Sequence, residues 1–226
     1  MQHRVRVWDL PTRLFHWVLV ICVVALVVTG HVGGDAMNWH ARLGYTVLTL
    51  LLFRLVWGFA GGRWSRFASF LYTPSSVLAY LRGRAHPDHL VGHNPLGAGS
   101  VFAMLLLLLA QAATGLVSDD ETAFTGPLNR FVKNSTGLAA TWYHKDVGQW
   151  LIIALVAVHI GAVLFYAIRK RQDLVRPMLS GDKVLASAAP SSRDDATTRI
   201  AALVTLAVCA GGVAWLVALG NSGATP

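Results

Sequence analysis

Charge and cysteine are scarce in this sequence. Charged residues make up 13% of its 226 positions and hydrophobic residues 54%, whereas a soluble domain is about a quarter charged. That excludes an ordinary soluble domain. A basic nucleic-acid binder would spread its Lys and Arg over a polar surface, so the net charge of +8 does not point to nucleic acid as a partner. The two cysteines, Cys22 and Cys209, sit inside apolar runs, leaving no disulfide framework and no Cys-x-x-Cys site. Flavin, nucleotide and iron–sulfur motifs are missing as well. What is plentiful is apolar sequence, in amounts that indicate a small polytopic membrane protein.

Five stretches reach the roughly 20 residues that a helix needs to cross about 30 Å of hydrocarbon: 14–32, 40–60, 97–117, 147–168 and 200–219. Arg4, Arg6 and Arg13 precede the first as in a signal peptide. No small-x-small cleavage site follows, and His16 interrupts the run, so it is read as a retained helix. The N-terminus, the loop 61–96 and the tail 169–199 hold three, four and seven Lys or Arg, 14 of the 19 in the chain. By the positive-inside rule these segments face the cytoplasm, and five spans put the C-terminus outside.

The expected architecture is an all-α membrane protein with a four-helix core over 1–179. Residues 180–199, small, polar and charged, read as a flexible linker to a fifth transmembrane helix within 200–226. Arg63, Trp64, Arg66, Phe67, Phe70 and Leu71 suggest an interfacial amphipathic segment. Asn94 and Pro95 read as an N-cap and first-turn pair opening the third span. Trp17, Trp39, Trp57, Trp142 and Trp150 fall near span ends, where aromatic belts form. No internal repeat stands out.

Ionisable residues within spans are costly and point to function. His16 lies near the inner end of the first span and His40 at the outer start of the second. His144 enters the fourth span from outside, and His159 follows fifteen residues deeper, about 22 Å along a helix. Depth pairs His16 with His159 and His40 with His144. Two facing histidines on different helices can supply both axial ligands of one haem, so the core reads as a four-helix haem-binding bundle with two stacked haems. With no Cys-x-x-Cys-His in the chain, attachment is non-covalent. Gly44 and Gly148 each stand four residues after an outer-level histidine, on the same helical face, where a porphyrin edge needs room. Interhelical hydrogen bonding by the histidines is the blander alternative.

WDLPTRLFHW (8–17), HARLGY (40–45), RLVWG (54–58), GHNPLGA (92–98), TGLVSDDE (114–121), GPL (126–128) and DLVRPMLSG (173–181) together resemble the bacterial cytochrome b561 family, which is related to the b-type cytochrome subunit of nickel–iron hydrogenases. The resemblance covers about residues 4–181. It implies two haem b groups, ligated by His16, His40, His144 and His159. It also implies a bacterial inner membrane with the C-terminus in the periplasm, ubiquinone or menaquinone as membrane partner, and a periplasmic c-type cytochrome or dehydrogenase subunit as redox partner, with a homodimer left open.

Around this core several residues remain open. His31 is a rival to His40. Arg54 either snorkels to the headgroups or meets a haem propionate, and Arg13 is a second propionate candidate. His86, His89 and His93 form H-x-x-H-x-x-x-H, with His93 read as quinone-adjacent rather than metal-binding. Asp119, Asp120 and Glu121 are a docking patch or a solvated loop. The function expected is electron transfer across the membrane between the quinone pool and a periplasmic partner, as a respiratory subunit. A stand-alone superoxide or quinol oxidoreductase, with Arg42, Arg130, Lys133 and Lys145 as a basic funnel, is the alternative. A haem-free transporter or anchor ranks last.

Overall fold

Long apolar runs leave the backbone no partner but itself in lipid, so they fold as helices. The computed structural model describes residues 2–84, 86–122 and 124–221. A short strand, β1 (His3–Arg6), leads into α1 (Leu10–Val32) and α2 (Ala36–Ala60). The turn between these helices contains Gly33 and Gly34 at φ 66° and 54°, left-handed values that glycine adopts without a Cβ penalty. Two short 3-10 turns, Arg63–Ser65 and Phe67–Ser69, precede α3 (Pro74–Leu81). A third 3-10 turn, Pro87–Leu90, leads to α4 (Pro95–Val117), where Gly97 N–H donates to the Asn94 side chain at 2.8 Å, the cap that the sequence predicts.

The fourth crossing is one helical run of 35 residues. It comprises α5 (Asn134–Trp142), a π-helical turn (Tyr143–Gly148) and α6 (Gln149–Ile168). It starts thirteen residues before the predicted 147–168, so His144 lies well inside a helix and not at its mouth. α7 (Val175–Ser180) and strand β2 (Asp182–Leu185) follow, then α8 (Ala196–Asn221). Five helices are long and apolar enough to cross a membrane among the described residues, as the sequence predicts.

The chain divides into two compact units. The first gathers residues up to His16, Arg54–Ala103 and Val156–Val204. Its small core is Val5, Val7, Trp8, Trp64, Val91 and Leu185, and β1 pairs antiparallel with β2 from His3 opposite Leu185 to Arg6 opposite Asp182. The tail read as a flexible linker is therefore an ordered strap. Ser192 donates from N–H to Arg6 O and from its hydroxyl to Val7 O, both at 2.7 Å, and Trp64 Nε1 donates to Pro190 O at 2.8 Å. The small side chains that suggested disorder are what let this backbone lie close against Trp64.

An ionic clasp completes the strap. Arg6 donates to Asp182 and Asp194, each at 2.5 Å, and Arg199 reaches Asp194 at 3.1 Å. The Asp194 side chain is 3% exposed. Burial alone would raise its pKa, but hydrogen bonds from Arg199, the Leu10 N–H and Arg6 hold it below the usual carboxylate value.

The second unit comprises Trp17–Phe53, Met104–Leu155 and the chain from Thr205. Its loop 126–132 packs on the end of α8, where a Cβ on Gly220 would overlap Pro127 O. Arg130 donates to the Gly220 carbonyl at 3.4 Å.

Candidate functional site

In the second unit, α2 and the π-helical turn bring His40 and His144 together with ring centres 6.0 Å apart and planes at 74°. Two imidazoles bound through Nε2 to opposite sides of one metal ion, at about 2 Å per bond, have ring centres at about this spacing. The Nδ1 atoms are already occupied. His40 Nδ1 lies 3.1 Å from Leu26 O and 3.2 Å from Thr29 Oγ1. His144 Nδ1 lies 2.9 Å from Gln111 O and 3.3 Å from Thr114 Oγ1. A carbonyl can only accept, so Nδ1 carries the proton and Nε2 is left as the ligating nitrogen.

Space around the pair is also shaped. A Cβ on Gly44 would meet nothing within 4 Å, which leaves the room expected one turn from His40. Gly148 differs. A Cβ there would lie 2.1 Å from Gln111 Oε1, so the matching offset has another cause, the close approach of Gln111, which donates to His144 O at 2.8 Å. π turns recur at functional sites because they redirect one side chain within a helix. His31 is turned elsewhere, exposed, with Nδ1 on Val27 O of its own helix at 2.8 Å, so His144 has His40 as its facing ring.

In the first unit, His16 and His159 interact electrostatically, and His93 is within reach of both and of Arg54. Arg54 is 3% exposed, which excludes snorkelling. Nη2 donates to Ser65 O at 3.0 Å, the guanidinium lies over the Phe67 ring at 4.7 Å, and Nη1 is buried without a hydrogen-bond partner among the described residues. A buried charged donor with one open N–H suits an anionic propionate. Arg13 also has a buried nitrogen, Nε, without a hydrogen-bond partner among the described residues. It donates to Leu179 O at 2.6 Å and lies 3.8 Å from Asp194, fastening α1 to the strap.

His93 is sandwiched between Trp8 and Phe70, at 4.7 and 4.5 Å between ring centres. Burial first, then the charge of Arg54, the cost of sharing protonation with His159 and His16, and Lys183 push its pKa down to about 3, so it is neutral at physiological pH. Its buried Nδ1 has no partner among the described residues. His86 and His89 instead close a 3-10 turn, each ring accepting a backbone N–H. No three His, Cys, Asp or Glu converge as a metal cluster among the described residues.

One residue that matters to the first unit escaped sequence reasoning. Asp9, 0% exposed, caps α1 through Thr12 N–H at 2.8 Å. It also accepts from Gly62 N–H at 2.7 Å, Ser65 Oγ at 3.1 Å and Trp57 Nε1 at 3.2 Å. This network holds the ends of α1 and α2 that carry His16 and Arg54. The signal was the Asp-x-Pro-Thr start of a helix. Trp57, predicted as a membrane anchor, is 1% exposed and belongs to this network.

Facing imidazoles in apolar helices, with their proton positions fixed and no cysteine to attach a porphyrin, define a membrane cytochrome of the b type. The chain belongs to the prokaryotic cytochrome b561 family, whose model matches residues 7–181. It is 28% identical over 216 residues to a probable Ni/Fe-hydrogenase B-type cytochrome subunit of Bradyrhizobium diazoefficiens, covering 79% of this chain and 85% of that one. A protein of the same description from Cupriavidus necator is 30% identical over 209 residues, 77% and 85% covered. A probable Ni/Fe-hydrogenase 1 B-type cytochrome subunit of Escherichia coli K12 is 26% identical over 211 residues, 77% and 88% covered. No solved structure matches. The chain is thus an electron-transfer cytochrome that takes haem b, whose iron passes one electron at a time between ferrous and ferric states.

Proposed function

We propose that the chain is a di-haem cytochrome b of the bacterial inner membrane, ligated by His40 with His144 and by His16 with His159. It carries electrons between the quinone pool and a periplasmic redox partner. The observation that carries this reading is the 6.0 Å spacing of His40 and His144 with both Nδ1 atoms occupied. The two threonine-backed carbonyls keep each ring oriented, α1 and α4 supply them, and the apolar helices exclude water. Arg54 balances the negative charge of a propionate at the His16–His159 site. His93 meets the quinone head, because a neutral, aromatic-sandwiched ring with an open nitrogen can exchange a hydrogen bond with a quinone carbonyl or quinol hydroxyl.

The relatives' names favour a hydrogenase as the periplasmic partner, and the positive-inside charge pattern places the N-terminus in the cytoplasm. A reduced-minus-oxidised spectrum with haem and protein quantification tests the scheme. Two b haems per chain are expected. His159→Ala should leave one, and so should His144→Ala, with different midpoint potentials for the survivors. One haem in the unaltered chain, or two in either variant, would refute the pairing.

A further inference from the structure

The backing of His40 on α1 and of His144 on α4 is the same device built twice. On α1 the acceptors are Leu26 O and, three residues on, Thr29 Oγ1; on α4 they are Gln111 O and Thr114 Oγ1, again three residues on. Each threonine hydroxyl donates to the carbonyl four residues back, Ala25 O and Ala110 O, both at 2.8 Å. With its hydrogen directed there, the oxygen turns lone pairs toward the imidazole N–H. Each threonine precedes a glycine, and a Cβ on Gly30 or Gly115 would come within 3.2 or 3.0 Å of the histidine Cε1. The Thr-Gly pair therefore supplies an acceptor and, beside it, the gap in which the ring sits.

We infer that Thr29 and Thr114 are matched positioning residues that set the electron donation of the two axial histidines, and so the midpoint potential, at the His40–His144 site. A second acceptor on the Nδ1–H makes the imidazole more basic. A more basic ligand favours ferric over ferrous iron, so each threonine lowers the potential. Both backing carbonyls remain when a threonine is replaced, so the ligand is weakened in donation and not lost. The inference rests on the haem assignment proposed above for this pair.

The test is potentiometric titration of the full-length protein, with the wave of this site identified as the one that His144→Ala removes. In Thr29→Val and in Thr114→Val the ratio of reduced to oxidised haem at a fixed potential should rise about threefold, about 28 mV at 59 mV per tenfold. The double variant should rise further, and Thr29→Ser and Thr114→Ser should match the unaltered protein. Wild-type potentials in haem-replete valine variants overturn the inference and leave the haem assignment standing; serine variants that shift like valine overturn it too. If valine expels the haem, the alanine variants replace it. The same rise with alanine supports the inference, and loss of the haem with alanine as well overturns it, because weaker donation leaves the ligand bound. If His144→Ala removes no haem, the assignment itself fails and the inference falls with it.

Discussion

At the scale of single residues, glycines separate the space a cofactor needs from the space a protein neighbour fills. A Cβ on Gly115 would press on His144 Cε1 at 3.0 Å, whereas one on Gly44 would meet nothing. Gly115→Ala should displace the ring, at a cost of about 1–3 kcal/mol for overpacking. It should show as a lower thermal midpoint with or without haem. Gly44→Ala should leave the haem-free protein as stable as before and reduce only its haem content, which separates room for a porphyrin from ordinary packing. Arg54→Met should lower the midpoint potential of the haem bound at His16 and His159, because a nearby positive charge favours the reduced state. The other wave should not move. A shift in both waves, or in neither, would remove Arg54 from the propionate role.

The histidines were legible because ionisable residues are rare in apolar runs. Their backing groups were not, since a carbonyl such as Leu26 O carries no residue type to read. Only the paired dipeptides Thr29-Gly30 and Thr114-Gly115 marked the place, and they went unremarked because a two-residue repeat is weak on its own.

At the scale of elements, the strap formed by β2 and residues 186–195 shows how composition misleads. Its small residues match a linker, yet its aspartates find Arg6, 176 and 188 positions earlier in sequence, and pairing at that separation has no local signature. Asp194→Ala should cost about 1–2 kcal/mol, for charge-assisted hydrogen bonds lost from arginines that remain solvated. Thermal unfolding would show it, and amide exchange would speed up over residues 3–6 and 182–185. The pH dependence has a definite sign. The pKa values of Asp182 and Asp194 are held down in the fold, so the clasp's contribution is complete above the unfolded carboxylate pKa of about 3.9. It is lost as pH falls through the lower folded values. The difference in stability between the unaltered protein and Asp194→Asn should be constant from neutral to about pH 5 and shrink only below about pH 4, the buried neutral histidines contributing equally to both. The π-helical turn also lay beyond the sequence, because YHKDVG at 143–148 carries no glycine–proline break to announce it.

At the scale of the whole molecule, hydropathy marked the five crossings to within about a turn, the fourth excepted, and the short motifs from WDLPTRLFHW to DLVRPMLSG marked the family. The family match ends at residue 181, but the fold does not end there, since β1 is closed by residues beyond it. A chain ended after Asp195 should keep the Arg6 contacts of the clasp, losing Arg199 alone from it, and, by the present assignment, both haems. A chain ended after Gly181 should lose protection of β1 and unfold at lower temperature, although it retains every proposed ligand. Equal thermal midpoints for the two truncations would show that the strap contributes nothing to the core.

The clasp also imposes an order on biosynthesis. Arg4, Arg6 and Arg13 leave the ribosome first, and their carboxylate partners, Asp182 and Asp194, follow only after four helices have been made. Until the tail emerges the three arginines lack these partners, and once it arrives they are paired. The same three side chains thus wait through most of synthesis for the carboxylates that will hold them, and the beginning of the chain is sealed only by its end.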